Sequence, residues 1–225
     1  MLSEFPPYTY PENATHSMHV RDPITADTFR IPASKEEVTV RVMEIIPAKV
    51  GTIERHVKLK AKDGMLWADP EQDLCKAFVF ERHHETGTFG RGFVKGFDIK
   101  NGAMASTVSH DAHNLLVVGT NDDDMALAAN TLIACGGGMV TVSGGKVLGL
   151  VELPIAGLMS EKTLEEMSVI VEKLDASWKE IGCDIPSPFM TMALLALACL
   201  PELRLTNRGL VDCTKFCFVP LEVED

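Results

Sequence analysis

His110, Asp111 and His113, which can bind a metal or move a proton, stand within four residues in the stretch SHDAHN, between two strand-like runs. Imidazoles three residues apart share one face of a helix, but the flanks here are strand-like. In a continuous strand His110 points away from His113, and Asp111 sides with His113. Only a turn or bulge makes them converge, and Asp111 and Asn114 are residue types that favour one. Two readings stay open. One is a site where imidazoles and a carboxylate meet a ligand or metal, which requires His110, Asp111 and His113 to converge on one ion at about 2.0–2.2 Å. The other is a linking turn in which Asp111 and Asn114 satisfy nearby backbone groups.

A second cluster, ERHHETG, places His83 and His84 at a strand end, facing opposite ways. His84 beside Glu85 offers acid–base chemistry, whereas the plainer reading is a strand running into a glycine-containing loop. NDDDMA offers consecutive carboxylates but lacks the alternating oxygen ligands and final Glu of a calcium loop, so it reads as a helix cap. CGGGMV follows a helix instead of opening one, which makes it a helix stop and not a phosphate cradle. No nucleophile elbow or Ser–His–Asp order is present, and His16, His19 and His56 fall in the N-terminal arm and on an alternating polar face.

The elements that must position these groups read as mainly β. EVTVRVMEII and ERHVKLKAKDGML alternate and are rich in β-branched residues. LCKAFVFERH, GRGFVKGFDI, GAMASTVS and NLLVVGT follow at short spacing. Asn101-Gly102 signals a hairpin, and successive antiparallel strands are the simplest arrangement of residues 37–120. NDDDMALAANTLIACGGG reads as a capped helix, and GMVTVSGGKVLGLVEL as a hairpin turning at Gly144-Gly145. A helix capped by Ser160 runs to Gly182, PFMTMALLALACL reads as a more buried helix, and GLVDCTKFCFVPLEV as a last strand. The fold class is α+β: a mainly antiparallel sheet flanked by helices, with an extended proline-rich N-terminal arm over 1–36 and the domain over 37–225.

The 225 residues carry a net charge of −11, which argues against nucleic acid or an anionic membrane as partner. The apolar run at 190–200 is about half of a membrane span. Six scattered cysteines without a CxxC pair fit a reducing cytoplasm.

The long stretch from FERHHETGTFGRGF through SHDAHNLLVVGTNDDDMALAANTLIACGGGMV resembles the C-terminal region of bacterial adenine deaminases, in the amidohydrolase superfamily. LPIAGLMS, DIPSPFMTMALLAL and RGLVDCTKFCFVPL extend the resemblance over nearly all of residues 20–222, and the arm looks like the family's passage out of its catalytic barrel. The resemblance implies hydrolytic deamination of adenine to hypoxanthine and ammonia, with manganese or iron in the full-length enzyme. In the family an HxH motif in a preceding β/α barrel holds the metal. This chain has no HxH, and a barrel of about 250 residues does not fit beside the domain. The expectation is therefore a chain needing a metal-bearing barrel in cis or trans, with adenine or a related purine as ligand and self-association into a homo-oligomer. His83, His84, His110, Asp111, His113 and Asn114 would face the active-site mouth, and an apolar patch would flank the arm. The alternative is a free-standing, non-catalytic purine-binding or oligomerisation module.

Overall fold

A computed structural model describes residues 8–223; residues 1–7 of the expected arm and the terminal 224–225 lie outside the described residues. The N-terminal part holds a one-turn helix α1 (Glu12–Thr15), a 3-10 turn (Ala26–Phe29) and a short strand β1 (Ile31–Pro32). Strands β2 (Glu37–Ile45), β3 (Thr52–Lys60), β4 (Met65–Leu66), β5 (Leu74–Phe80), β6 (Phe89–Lys95), β7 (Ala103–Ser106) and β8 (Leu115–Gly119) come next. Helix α2 (Asp122–Cys135), the hairpin β9 (Gly138–Ser143) and β10 (Lys146–Glu152), and helices α3 (Leu164–Glu180) and α4 (Pro188–Ala193) lead to a closing trio. That trio is β11 (Leu203–Thr206), β12 (Gly209–Asp212) and β13 (Cys217–Val219).

Eight strands form one mixed sheet in the order β10-β9-β7-β8-β5-β6-β2-β3, and β11, β12 and β13 form a separate antiparallel sheet. The fold is α+β. Both faces of the large sheet are covered, and β5 shows why its sequence is almost continuously apolar. Phe78 and Phe80 point into a layer shared with Phe29 of the arm and Leu132 of α2. Ala77 and Val79 point into the opposite layer, with Leu174 of α3, Phe189 of α4 and Leu205 of β11. Each large apolar side chain buried this way contributes about 1.5–3 kcal/mol. Among the described residues no helix is long and apolar enough to cross a membrane.

Helix α2 begins as its sequence dictates. The Asn121 side chain accepts from Asp124 N–H at 2.8 Å, and the buried Asp124 carboxylate accepts from Gly144 and Gly145 N–H. Asp122 pairs with Lys76, so the acidic run is a cap and a tie between elements. Gly136 closes the helix with φ of 83°, and Gly144-Gly145 turns the β9–β10 hairpin with φ of 57° and 73°.

Several local expectations are corrected. Asn101-Gly102 is not a hairpin turn: β6 pairs with β5 and β2, whereas β7 pairs with β8 and β9. Gly102 does use a positive φ of 127°, but to bring the chain against Thr120 and the backbone of Val142. Successive antiparallel pairing holds for β2 with β3, β5 with β6 and β7 with β8, but β5 also pairs with β8, and β2 runs parallel to β6. Helix α3 is capped by Thr163 in a capping box with Glu166, not by Ser160. The expected helix over PFMTMALLALACL stops early, with a 3-10 turn from Leu194 to Ala196. Buried Arg204 takes the carbonyls of Leu194, Leu200, Pro201 and Val50, holding this segment in an irregular path. The C-terminal segment forms a hairpin, β12 with β13, rather than one strand.

Candidate functional site

The strand β5 ends in two charges, Glu81 and Arg82, both buried, and they organise everything around them. The Glu81 carboxylate accepts from the N–H groups of His83 at 2.5 Å, His84 at 3.0 Å and Thr86 at 3.2 Å, and from the Thr86 hydroxyl at 3.0 Å. One side chain thereby shapes the loop that carries both histidines. Arg82 turns inward and donates from Nε to His113 O at 2.5 Å, and from its two terminal nitrogens to Ser17 O at 2.9 Å and Ala156 O at 3.0 Å. Its fork thus ties the arm, the 109–114 loop and the segment after β10 to the sheet.

The 109–114 loop is the turn that its residues allow. His113 N–H donates to Ser109 O at 2.6 Å, and His113 adopts a positive φ of 49°. His110 N–H donates to Ala193 O at the end of α4, at 3.0 Å. The turn brings the His110 and His113 rings to 5.7 Å between centroids. From the neighbouring loop, His83 Nε2 lies 2.7 Å from Ala112 O, so it donates that proton, and the His84 ring is 6.2 Å from that of His83. The two loops thus meet where His83 reaches Ala112, each carrying one pair of histidines. Asp111 points outward, 84 % exposed, with its nearest carboxylate oxygen 3.8 Å from His110 Nδ1.

Burial first, then the nearby His110 and Arg82, hold the His113 imidazole below the ordinary histidine value. His113 Nδ1 is buried without a hydrogen-bond partner, and so are Asn114 Oδ1 and Ser109 Oγ. The His113 ring therefore stays neutral to lower pH than an ordinary histidine. Among the described residues, no group of three or more His, Cys, Asp or Glu side chains is placed to hold a metal ion. The donor set among the described residues does not fit the manganese or iron that the resemblance implies.

Glu81 and Arg82 were missed as organisers of the site, although a signal exists: two charges follow a strand that is apolar but for Lys76, and charges buried there must find internal partners. His19 and Arg21 of the arm were missed too. His19 N–H donates to Arg82 O at 2.8 Å and Arg21 donates to Thr86 O at 3.1 Å, contacts that no local pattern announces.

A family model described as the adenine deaminase C-terminal domain matches residues 49–217. The chain belongs to this family. An adenine deaminase of Clostridium botulinum (strain Loch Maree / Type A3) is 73% identical over 219 residues, which cover 97% of this chain and 37% of the relative. One of Moorella thermoacetica is 54% identical over 98% of this chain and 37% of its own length, and one of Methanothrix thermoacetophila 43% identical over 92% and 36%. The chain thus spans little more than a third of the length of these curated relatives.

In this adenine deaminase C-terminal domain the histidine loop depends on an ionised Glu81. Burial raises its carboxyl, but the donors from His83, Thr86 and His84 outweigh it and hold it below the ordinary glutamate value of 4.5. A carboxyl depressed on folding adds stability above its unfolded value and loses it as pH falls through the folded one. Glu81→Gln is expected to lower Tm at neutral pH, with the variant and parent curves converging as pH falls below the ordinary glutamate value and through the lower folded one. Thermal unfolding at a series of pH values checks this. Parallel curves throughout would show that the carboxylate charge contributes nothing.

Proposed function

We propose that the chain is the C-terminal portion of an adenine deaminase and acts with a metal-bearing amidohydrolase barrel, supplied in the same chain or by a partner. The reaction joins water to adenine and releases hypoxanthine and ammonia, with oxygen replacing the exocyclic amino group. The observation that carries this reading is the match itself: 97% of this chain aligns with 37% of a named adenine deaminase. The metal, manganese or iron by resemblance, belongs to the barrel and makes hydroxide available near neutral pH.

Residues 1–36 are, on this reading, the passage from the barrel, and 37–225 the domain that packs beside it. His83, His84, His110, Asp111, His113 and Asn114 face the mouth of the purine site from the two loops that Glu81 and Arg82 hold. Their work is to exclude water and to present imidazole side chains to the base. An apolar hollow of about 290 Å³ between arm residues Val20 and Ile24 and sheet residues Phe80 and Phe89 supports a covered face beside the arm. The setting is cytoplasmic, in keeping with six free thiols.

The test follows adenine consumption by ultraviolet absorbance, with Mn2+ or Fe2+ supplied. The 225-residue chain alone is expected to give no turnover, and turnover is expected when the preceding part of the Clostridium botulinum relative is added. Turnover by the chain alone that survives repurification and disappears on replacing His110 and His113 would overturn this reading.

A further inference from the structure

The hairpin of β12 and β13 turns on a phenylalanine held out in solvent. Phe216 is 81% exposed, the most exposed aromatic residue among the described ones, and it adopts a positive φ of 52°. A bulky side chain is disfavoured at such a φ, so the turn has to be held from elsewhere. Asp212 holds it. Its carboxylate accepts from Thr214 N–H at 2.9 Å, the Thr214 hydroxyl at 2.6 Å, Lys215 N–H at 3.1 Å and Lys215 Nζ at 2.7 Å. A braced turn that keeps an apolar ring in water adds nothing to the chain's own core, but it presents a pre-ordered anchor to a partner.

Two residues along the same hairpin, Phe218 forms one wall of an open pocket of about 500 Å³. The other walls are largely apolar, with Leu197 of the segment after α4 and Val211 of β12 among them, and the space is ample for a phenyl ring. The lining carries one cation and one anion. Arg208 places its guanidinium 5.0 Å from the centre of the Phe218 ring, and Asp111 is exposed on the 109–114 loop. A knob thus stands beside a hole, with charges of both signs next to them. Such a surface is complementary to itself. Under a two-fold axis each knob meets the hole of the other copy and each cation the other's anion, whereas a partner of different chemistry calls for no such matching of the patch with itself.

We propose that this patch pairs two copies of the chain about a two-fold axis. Each Phe216 ring enters the pocket of the second copy, and each Arg208 meets Asp111 of the second copy across the interface.

Sedimentation velocity of the 225-residue chain, with reductant present because Cys199 and Cys217 are exposed, tests it. The parent is expected to dimerise reversibly at concentrations on the order of 10 µM, and Phe216→Asp to weaken the dimer about tenfold or more. Arg208→Asp and Asp111→Arg each set like charges against one another at two points, so each should also weaken it about tenfold or more. An equimolar mixture of these two variants restores opposite signs at both points and should dimerise about as well as the parent. The charge variants and their mixture decide the matter if Phe216→Asp does not fold. A parent that stays monomeric at about 100 µM would overturn the proposal. So would a dimer that all three variants leave unchanged, which places the interface elsewhere, and so would a mixture that fails to recover. A monomeric parent whose Phe216→Asp variant no longer co-sediments with the preceding part of the Clostridium botulinum relative would assign the patch to the barrel and overturn the proposal too. Since no turnover is read, the outcome is separate from that of barrel complementation.

Discussion

Replacing Arg82 with leucine is expected to lower the unfolding free energy by about 3–5 kcal/mol and Tm by on the order of 10 °C. The magnitude follows from what the side chain leaves behind. Its fork satisfies the backbone carbonyls of His113, Ser17 and Ala156, and leucine satisfies none of them. An unpaired buried carbonyl costs about 1–3 kcal/mol, and partial relaxation keeps the total below the sum. Burial pushes the guanidinium down to about 10, so it remains a cation at neutral pH, solvated by carbonyl dipoles instead of by a carboxylate. Arg82→Lys should recover little, since one ammonium cannot reproduce a planar fork reaching three segments. Differential scanning calorimetry checks the stability, and adenine turnover with the barrel part present checks the function. A leucine variant within 1 °C of the parent, read against the roughly 2–4 °C per kcal/mol of a chain this long, would refute the account of Arg82 as the tie between loops.

The second large effect concerns the contact between arm and helix. Lys76 is 1% exposed in the middle of β5, and its ammonium donates to both oxygens of Asp122, at 2.7 and 3.0 Å, and to Phe29 O at 2.9 Å. The Trp67 ring lies 4.7 Å away. Desolvation lowers the Lys76 ammonium from its ordinary value and raises the Asp122 carboxyl, and each partner opposes the shift in the other. Asp122→Ala strands a buried charge and removes an acidic residue from the first turn of α2; a loss of about 3–5 kcal/mol is expected. The pair Lys76→Met with Asp122→Leu should cost clearly less than Asp122→Ala alone, because no charge is then left unpaired. Urea unfolding of the three proteins measures the difference. A double variant less stable than Asp122→Ala would mean that the ion pair stabilises the fold beyond repairing its own burial. Phe29 O accepts from this lysine and the Phe29 ring packs on Phe78 at 4.9 Å, so the same change should loosen the arm.

Much of this molecule is legible along the chain. Alternation and β-branched residues mark the strands, Asn121 and the three glycines bound α2, and Gly144-Gly145 turns a hairpin where it should. Family membership is legible too, because it resides in long runs of residues. What failed was pairing. Asn101-Gly102 dictates a backbone bend, but which strands lie side by side is decided by how both faces of the sheet are covered, and β7 lies between β8 and β9. The helix after Pro188 was overread because its apolar run is helical by composition, while Arg204 on the following strand claims carbonyls of that run.

The candidate site divides in the same way. Residue types and the turn at SHDAHN can be read directly, since short polar residues favouring turns act on their own neighbours. That His83 meets Ala112, that Arg82 binds three remote segments, and that Asp111 shares a pocket with Arg208 and Phe218 come only from the tertiary structure. Local sequence determines backbone conformation over a few residues, because steric and capping forces act at that range. Buried charges and orphaned oxygens take or lack their partners across the fold, and only packing decides which groups arrive beside them.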